Sequence, residues 1–186
     1  MELTPFDNEK ILNAKRWLLG FHEECMRESW GGDFSWKSFY VAGGAIASLL
    51  QGETPKDVDI YCESDVISKA VMQKLVSTNR KDIKETKEYR EFYAEDGKMV
   101  SEWAITMNNG ASFIFKNAGK PSEIKKSFDY VHTTAHYQFW TTDREPKLFI
   151  SPLAYHCAVN KLLIVNNKVT MTVGRRDKFI NRGYTP

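Results

Sequence analysis

Cysteine is scarce in this chain. The 186 residues contain three cysteines, Cys25, Cys62 and Cys157, and none belongs to a C-x-x-C pair. An odd number without paired spacing argues against both a disulfide scaffold and a zinc site. We therefore expect all three to be small, buried apolar residues.

An excess of charge and long apolar runs are also missing. The 26 basic residues nearly balance the 24 acidic ones, which argues against a uniformly basic surface for nucleic acid. No run approaches eighteen apolar residues, and the N-terminus lacks the basic and apolar regions of a signal peptide. We expect a cytoplasmic protein without a membrane partner, whose 42% hydrophobic residues build one well-packed domain.

The stretch 39–63 combines residue types that suit phosphate chemistry. It predicts a strand at Phe39–Ala42, a Gly-Gly turn, a helix to about Leu50, and a second strand that begins near Asp57. Side chains alternate along a strand, so Asp57 and Asp59 share a face. Two carboxylates on one face make an oxygen site that suits Mg²⁺, which takes further ligands from water and phosphate.

The Gly-Gly turn precedes this acid pair in the chain. Gly43 and Gly44 lack Cβ atoms, so a phosphate can approach their backbone at the start of the predicted helix. A helix N-terminus offers free N–H groups and the positive end of the helix dipole. The stretch therefore predicts a triphosphate site. A glycine turn followed by a solvated strand end is the alternative, but it does not explain the order of the pieces.

Gly43-Gly44 followed after twelve residues by Asp57-Val58-Asp59 resembles the GG…DxD signature of the DNA polymerase β-like nucleotidyltransferase superfamily. The segment GGAIASLLQG is similar to the head of CCA-adding enzymes and bacterial poly(A) polymerases. Ala47 and Ser48 stand where those enzymes carry Arg-Asp, so their acceptor chemistry is not carried over. The segments at Phe128–His132 and at Asn160-Lys161 with 175–183 resemble small nucleotidyltransferase-like proteins encoded by bacteriophages.

The resemblance implies an α/β (α+β) nucleotidyltransferase fold, a small mixed sheet backed by helices with a helical C-terminal cap. It implies a transferase that uses Mg²⁺ or Mn²⁺ to move a nucleoside monophosphate from an NTP such as ATP to an acceptor. RNA 3′ ends or tRNA are the first acceptors to consider, and a protein or small molecule the next. The alternative is an inert module that binds a nucleotide, RNA or a host protein, in the host cytoplasm if a phage encodes it.

Local patterns predict the remaining elements. Apolar residues at three- and four-residue intervals predict a packing helix over 8–29, capped by Asp7 or Asn8. The aromatic loop 30–37 is interpreted as a turn at the core edge, or else the rim of a base pocket. The charged segment 78–98 is interpreted as a solvated face, or else a mobile insert. Further predictions are a helix over 64–77, a hairpin around Asn109-Gly110, a short helix near Pro121, a second hairpin over 137–150, a helix from Ser151-Pro152 to about Asn166-Asn167 and a helix over 170–182.

The third acid of the site is not evident. In the resembled superfamily it comes from a neighbouring strand, where this sequence has Ser112 instead. Asp129 is the next candidate, as third metal ligand, general base or ribose contact, or as an acid that orients a neighbouring group.

His132 and His136 follow on what alternation predicts to be a strand, where about 13 Å separates positions four apart. One metal cannot easily join them, so both are interpreted as structural.

The C-terminal region is basic. From Lys161 onwards six basic residues face one acid, Asp177. This excess suits a triphosphate or an RNA end, whereas compensation of a helix dipole is the alternative for Lys178 and Arg182. Tyr184 is expected at the surface, or stacked on a base.

We divide the chain into a catalytic part, 1–150, and a basic helical cap of the same domain, 151–186. The predicted nucleotide-binding residues are Gly43, Gly44, Ala45, Ser48, Lys56, Lys161, Arg175, Arg176, Lys178 and Arg182.

Overall fold

A seven-stranded mixed sheet forms the centre of the protein. The structure is a computed structural model and describes residues 2–32, 34–87, 104–168 and 174–186. The strands are β1 (Phe39–Ala42), β2 (Val58–Cys62), β3 (Ile83–Lys87), β4 (Ala104–Met107), β5 (Ala111–Ile114), β6 (His136–Gln138) and β7 (Lys147–Phe149). Their spatial order is β3-β4-β5-β2-β1-β6-β7. The β2–β5 pair is parallel and the other pairs are antiparallel.

Helices pack mainly on one face of the sheet. They are α1 (Asn8–Arg27), α2 (Gly44–Leu50), α3 (Asp65–Thr78), α4 (Pro121–Ile124), α5 (Pro152–Val159) and α6 (Arg175–Ile180). The main core joins residues of α1, α2, α3 and α5 with alternate residues of the strands, among them Val41, Ile60 and Phe113. This burial is the main source of stability, because apolar area removed from water dominates folding.

Local signals position the starts of three helices as the sequence predicts. The Asp7 carboxylate accepts hydrogen bonds from the N–H groups of Glu9 and Lys10, which begins α1. Ser64 caps α3, and Ser151 caps α5 with Pro152 at its first position. The Asn109-Gly110 turn joins β4 and β5 in the predicted hairpin, with Gly110 at φ +88°. The short helix at Pro121 and the hairpin β6–β7 are also confirmed.

The aromatic loop after α1 belongs to the core. Trp30 and Trp36 are buried, and Trp36 donates from Nε1 to the carbonyl oxygen of Gly31 at 3.0 Å. A Cβ on Gly31 would lie 1.8 Å from the carbonyl oxygen of Cys25, so this loop closes directly onto the end of α1. The interpretation as a core-edge turn is confirmed. The three cysteines are buried and unbridged, as expected.

Three predicted elements differ. The helix that begins at Ser151-Pro152 is shorter than predicted: it ends at Val159 rather than near Asn166-Asn167, because Leu162 and Val165 form bridges with Thr185 and Tyr130 instead. The predicted strand through Phe128 to His132 is wrong, because Val131–Thr133 is a 3-10 turn and β6 begins at His136. The alternating aromatic residues there pack in two different clusters: Phe128 contacts Tyr61, whereas His132 contacts Phe179 of the last helix. The last helix is shorter than predicted: it ends at Ile180, and residues 169–173 lie outside the described ranges.

The charged segment 78–98 falls partly in the described ranges. Ile83–Lys87 forms β3 at one edge of the sheet, and residues 88–98 lie outside those ranges. Within the described residues, no helix is long and apolar enough to cross a membrane.

Candidate functional site

The predicted acid pair lies at the beginning of β2. Asp57 immediately precedes the strand and is exposed, whereas Asp59 is partly buried. Asp59 pairs with Ser112 on β5, and Ser112 pairs with Thr106 on β4. On the other side, the β1–β2 register places Asp59 beside Ala42. These residues lie on the face opposite the main core, together with Tyr40 and Tyr61, and we call it the site face.

The glycine turn lies against the acid pair. Gly43 has φ +94° and ψ −155°, a conformation that L side chains rarely adopt, and it directly precedes α2. A Cβ on Gly43 would lie 3.3 Å from Oδ2 of Asp59, whereas one on Gly44 would meet nothing within 4 Å. The backbone of Gly43 thus lies beside the Asp59 carboxylate, and Gly44 and Ala45 follow it as the first residues of α2.

The third carboxylate expected of the superfamily is replaced by hydroxyl groups. Ser112 is buried, and its Oγ lies 2.9 Å from Oγ1 of Thr106. Throughout the described ranges, no group of three or more His, Cys, Asp or Glu is arranged to hold a metal ion. Asp57, Asp59 and the Ser112 hydroxyl are oxygen donors. They fit a Mg²⁺ ion that completes its shell with water and phosphate oxygens, but they do not make a closed protein cage.

Asp129 is held by an arginine. Its carboxylate is 3% exposed, forms an ion pair with Nε of Arg175 and accepts a hydrogen bond from the N–H of Tyr130 at 3.0 Å. Among the roles considered for Asp129, this placement favours orientation of a neighbouring cation over metal binding. The Arg175 guanidinium also lies over the Phe179 ring, 5.5 Å from its centroid.

Tyr61 lies within electrostatic range of both Asp59 and Asp129. Burial is the main reason that the pKa of its hydroxyl is raised, and the negative charges of Asp59 and Asp129 raise it further. The positive charge of Arg175 opposes them. The Asp129–Arg175 pair therefore lies close enough to the site face to act on the same tyrosine as Asp59.

Two of the other predicted cations, Lys161 and Arg182, form a second group near the end of α2. Lys161 forms an ion pair with Glu53 at 2.8 Å, and Arg182 lies 3.8 Å from the same carboxylate. Arg182 also donates to Oγ of Ser48 at 2.9 Å. Glu53 follows α2, whereas Gly43 precedes it, so the structure does not bring Lys161 to the glycine turn. Lys56, Arg176 and Lys178 are exposed.

The C-terminal segment, residues 174–186, surrounds a histidine that sequence reasoning treated only as structural. His132 is 1% exposed and contacts the rings of Tyr130, Phe179 and Tyr184. Neither ring nitrogen has a hydrogen-bond partner, and burial lowers the pKa of His132 to about 4. Tyr184 is 3% exposed and its hydroxyl accepts from Gln51, so the expectation of a surface or base-stacking tyrosine is wrong.

Solved structures with a similar fold are CCA-adding enzymes. The Thermotoga maritima CCA-adding enzyme complexed with tRNA aligns with a TM-score of 0.54 at 12% identity, over 98% of this chain and 40% of that one. A CCA-adding enzyme in complex with ATP aligns with a TM-score of 0.52 at 13% identity, over 91% of this chain and 39% of that one. The chain thus spans about 40% of the length of these enzymes and has the nucleotidyltransferase fold.

Sequence comparison is more specific about the family. No curated protein sequence matches the chain. Residues 13–167 match the family model described as "Gad2: Gabija anti-defense 2 family protein", which covers most of the 186 residues. The chain therefore belongs to the Gabija anti-defense 2 family.

Proposed function

We propose that this protein is a metal-dependent nucleotidyltransferase that moves a nucleoside monophosphate from an NTP to an acceptor and releases pyrophosphate. One observation carries the proposal: the backbone of the Gly43 turn lies against the Asp59 carboxylate at an accessible end of a nucleotidyltransferase-type sheet. An anion-binding backbone beside a carboxylate is the arrangement that a metal–triphosphate complex needs.

Each residue of the site has a defined role in this proposal. Asp57 and Asp59 would hold Mg²⁺ or Mn²⁺, and the bound metal would neutralise phosphate charge and polarise the α-phosphoryl group. Gly43, Gly44 and Ala45 would donate backbone N–H groups to the β- and γ-phosphates. Arg175, oriented by Asp129, would supply positive charge near Tyr61.

Two kinds of similarity support two candidate acceptors. The Thermotoga maritima relative in fold is complexed with tRNA, which supports an RNA 3′ end as acceptor here. The family description names an anti-defense role, which supports transfer to a component of that defence, such as a host protein. The proposal takes RNA first and a protein second.

A binding module without catalysis is the second candidate. Two observations favour it: Ser112 occupies the position at which the superfamily has an acid, and Asp129 is engaged by Arg175. Such a module would bind a nucleotide or RNA without consuming NTP.

Transfer of a labelled nucleotide tests the proposal directly. Purified protein is incubated with each α-³²P-NTP and Mg²⁺, with and without total RNA and cell lysate, beside the double variant Asp57→Asn/Asp59→Asn. We expect the wild type to label RNA or protein and the double variant to lose at least about a hundredfold in rate, because metal stabilisation of the transferred group is worth several kcal/mol.

The matched control is Asp65→Asn, which removes an exposed carboxylate paired with Lys69 on α3 and should leave transfer unchanged. Intact NTP binding without any transfer would identify the binding module instead. Transfer that survives in the double variant would show that the site lies elsewhere.

A further inference from the structure

We infer that the hairpin β6–β7, residues 136–149, is the binding surface for an unpaired segment of a nucleic acid whose end is the acceptor. The inference rests on the proposed function, because it names the acceptor class of the same site. Exposed aromatic side chains, nearby basic residues and the position of Phe149 and His136 on the site face carry it.

The hairpin bears aromatic surface that the fold does not bury. Trp140 and Phe149 are each 42% exposed, and the other large aromatic side chain exposed in the described part of the chain is Phe6, on the N-terminal segment. Burying such a ring removes considerable apolar area from water. Leaving two of them in solvent on one short hairpin therefore indicates a contact surface rather than a packing requirement.

Phe149 is preorganised by its neighbour across the hairpin. Its ring stacks on the His136 imidazole, with centroids 4.8 Å apart and planes 11° apart. The edge of Tyr40 meets His136 from β1, which fixes the imidazole on the site face. Burial lowers the pKa of His136 to about 4, so the imidazole is neutral at physiological pH and the pair forms a stacked aromatic surface.

The strand register places this surface in line with the acid pair. Phe149 pairs with His136, His136 pairs with Ala42, and Ala42 lies beside Asp59. Three strand spacings separate Phe149 from Asp59, which corresponds to roughly 14 Å between Cα atoms. A base stacked on Phe149 is therefore too remote to be that of the reacting NTP, but a short single-stranded segment spans the interval.

Basic side chains accompany the aromatic ones. Nζ of Lys37 lies 5.5 Å from the centroid of Trp140, and Lys125 is close enough to His136 to act on its charge. The turn adds Arg144 and Lys147 but also Asp143 and Glu145, and Asp143 is paired with Lys147. The charges of the hairpin itself cancel, so the cations available to phosphates are Lys37 beside Trp140 and Lys125 near His136, both from neighbouring segments of the chain.

Aromatic rings for bases and cations for phosphates are the combination by which proteins bind single-stranded nucleic acid. A protein partner fits less well, because the polar side chains of Gln138 and Lys147, which pair across the hairpin, lie between the two rings. Unpaired bases are required, since the faces of paired bases are already stacked. The expected ligand is a single strand of RNA, with little dependence on its sequence.

Fluorescence anisotropy with a labelled single-stranded RNA 12-mer at low salt tests the inference on the whole protein. The variants Trp140→Leu and Phe149→Leu keep apolar bulk but remove the ring. We expect each to weaken binding roughly tenfold and the double variant more, because a base stacked on an aromatic side chain contributes strongly to affinity. Unlabelled single strand should displace the probe, whereas duplex RNA should not.

Phe6→Leu is the matched control, because it removes an equally exposed ring from another part of the surface. Circular dichroism melts establish that each variant folds. Unchanged RNA affinity in the folded double variant would overturn the inference, and so would a wild type that fails to bind the single strand.

The proposed function can fail separately from the inference. Equilibrium dialysis with Mg·ATP should give the same affinity for the wild type and for Trp140→Leu/Phe149→Leu, since the NTP lies at Asp57 and Asp59. If RNA binding depends on Trp140 and Phe149 but no nucleotide is transferred, the binding surface is supported and the transferase activity is refuted. If nucleotide is transferred to a protein and the double variant transfers it equally well, the transferase activity is supported and the RNA-binding surface is refuted.

Discussion

Two glycines are required at their positions for different physical reasons. Gly43 has a backbone conformation that disfavours a side chain, and it also lies beside Asp59. Gly31 has no positive φ, but it has no room for a Cβ beside the end of α1. Of these two glycines, the sequence indicated a function only for Gly43, because it belongs to the Gly-Gly and Asp-x-Asp motif. The need for glycine at position 31 could not be predicted, because it arises from the packing of the loop against the end of α1.

Replacing Gly43 by alanine tests the glycine turn. Gly52→Ala is the control, since Gly52 also has a positive φ, +77°, but a Cβ there would meet nothing within 4 Å. Both variants should lose about 1–2 kcal/mol of stability through backbone strain. Gly43→Ala alone should also weaken Mg·ATP binding in equilibrium dialysis, because its methyl group approaches the Asp59 carboxylate. Equal ATP affinity in the two variants would contradict a role for the turn.

Replacing Gly31 by alanine should destabilise the protein by at least about 1–3 kcal/mol, since the new methyl group would overlap the carbonyl oxygen of Cys25. Gly20→Ala is the opposite case, because Gly20 lies inside α1 and a Cβ there meets nothing within 4 Å. It should stabilise the protein by about 0.5–1 kcal/mol through helix propensity. Urea midpoints measure both, and shifts of the same sign would refute this account.

At the scale of elements, the C-terminal segment is attached to the rest of the fold by charge as well as by packing. Arg175 reaches Asp129, and Arg182 reaches Ser48 and Glu53. Phe179 and Tyr184 bury a small core with Tyr130 and Leu163 between these contacts. The C-terminal segment therefore packs over Asp129 and Tyr130, which lie close to the site face.

The Asp129–Arg175 pair should contribute to stability because its carboxylate is buried. Asp129→Asn keeps the shape and the possibility of a bond from the Tyr130 N–H but loses the charge, and we expect a loss of about 1–3 kcal/mol. The control, Asp143→Asn, breaks an exposed pair with Lys147 and should cost less than about 1 kcal/mol. Thermal melts at low and high salt distinguish the two, and equal losses would show that the buried pair contributes nothing special.

Elements that begin or end on local signals could be predicted from the sequence. The Asp7, Ser64 and Ser151 caps and the Asn109-Gly110 turn act within a few residues, so the chain shows them directly. The 3-10 turn at Val131–Thr133 could not be predicted, because its residues alternate like a strand while distant elements position them. The ion pairs Asp129–Arg175 and Glu53–Lys161 could not be predicted either, because each joins residues that are far apart in the chain.

At the scale of the whole molecule, buried histidines link stability to pH. Burial lowers the pKa of His22, His132 and His136 to about 4 each, whereas an unfolded histidine titrates near 6.5. Between pH 6.5 and 4 the unfolded chain thus binds more protons, so stability is complete above 6.5 and falls as the pH is lowered through this range.

The size of this effect can be measured with His22, which is 7% exposed and contacts the rings of Trp36 and Phe139. From pH 6.5 to pH 5, such a ring should lower the free energy of unfolding by about 2 kcal/mol. Urea midpoints at pH 7.5 and pH 5 should differ clearly for the wild type and less for His22→Phe. A variant with the same pH dependence as the wild type would refute the assignment to His22.

The position of β1 between β2 and β6 has a consequence for how the chain reaches its native state. β1 pairs with β2, which follows it closely, and with β6, which follows only after most of the other elements. Contacts between distant parts of a chain are slow to form, because the intervening loop must lose entropy first. During synthesis, the acid pair and the glycine turn can therefore form early, while the neighbouring β6 surface must wait until residue 138 has left the ribosome.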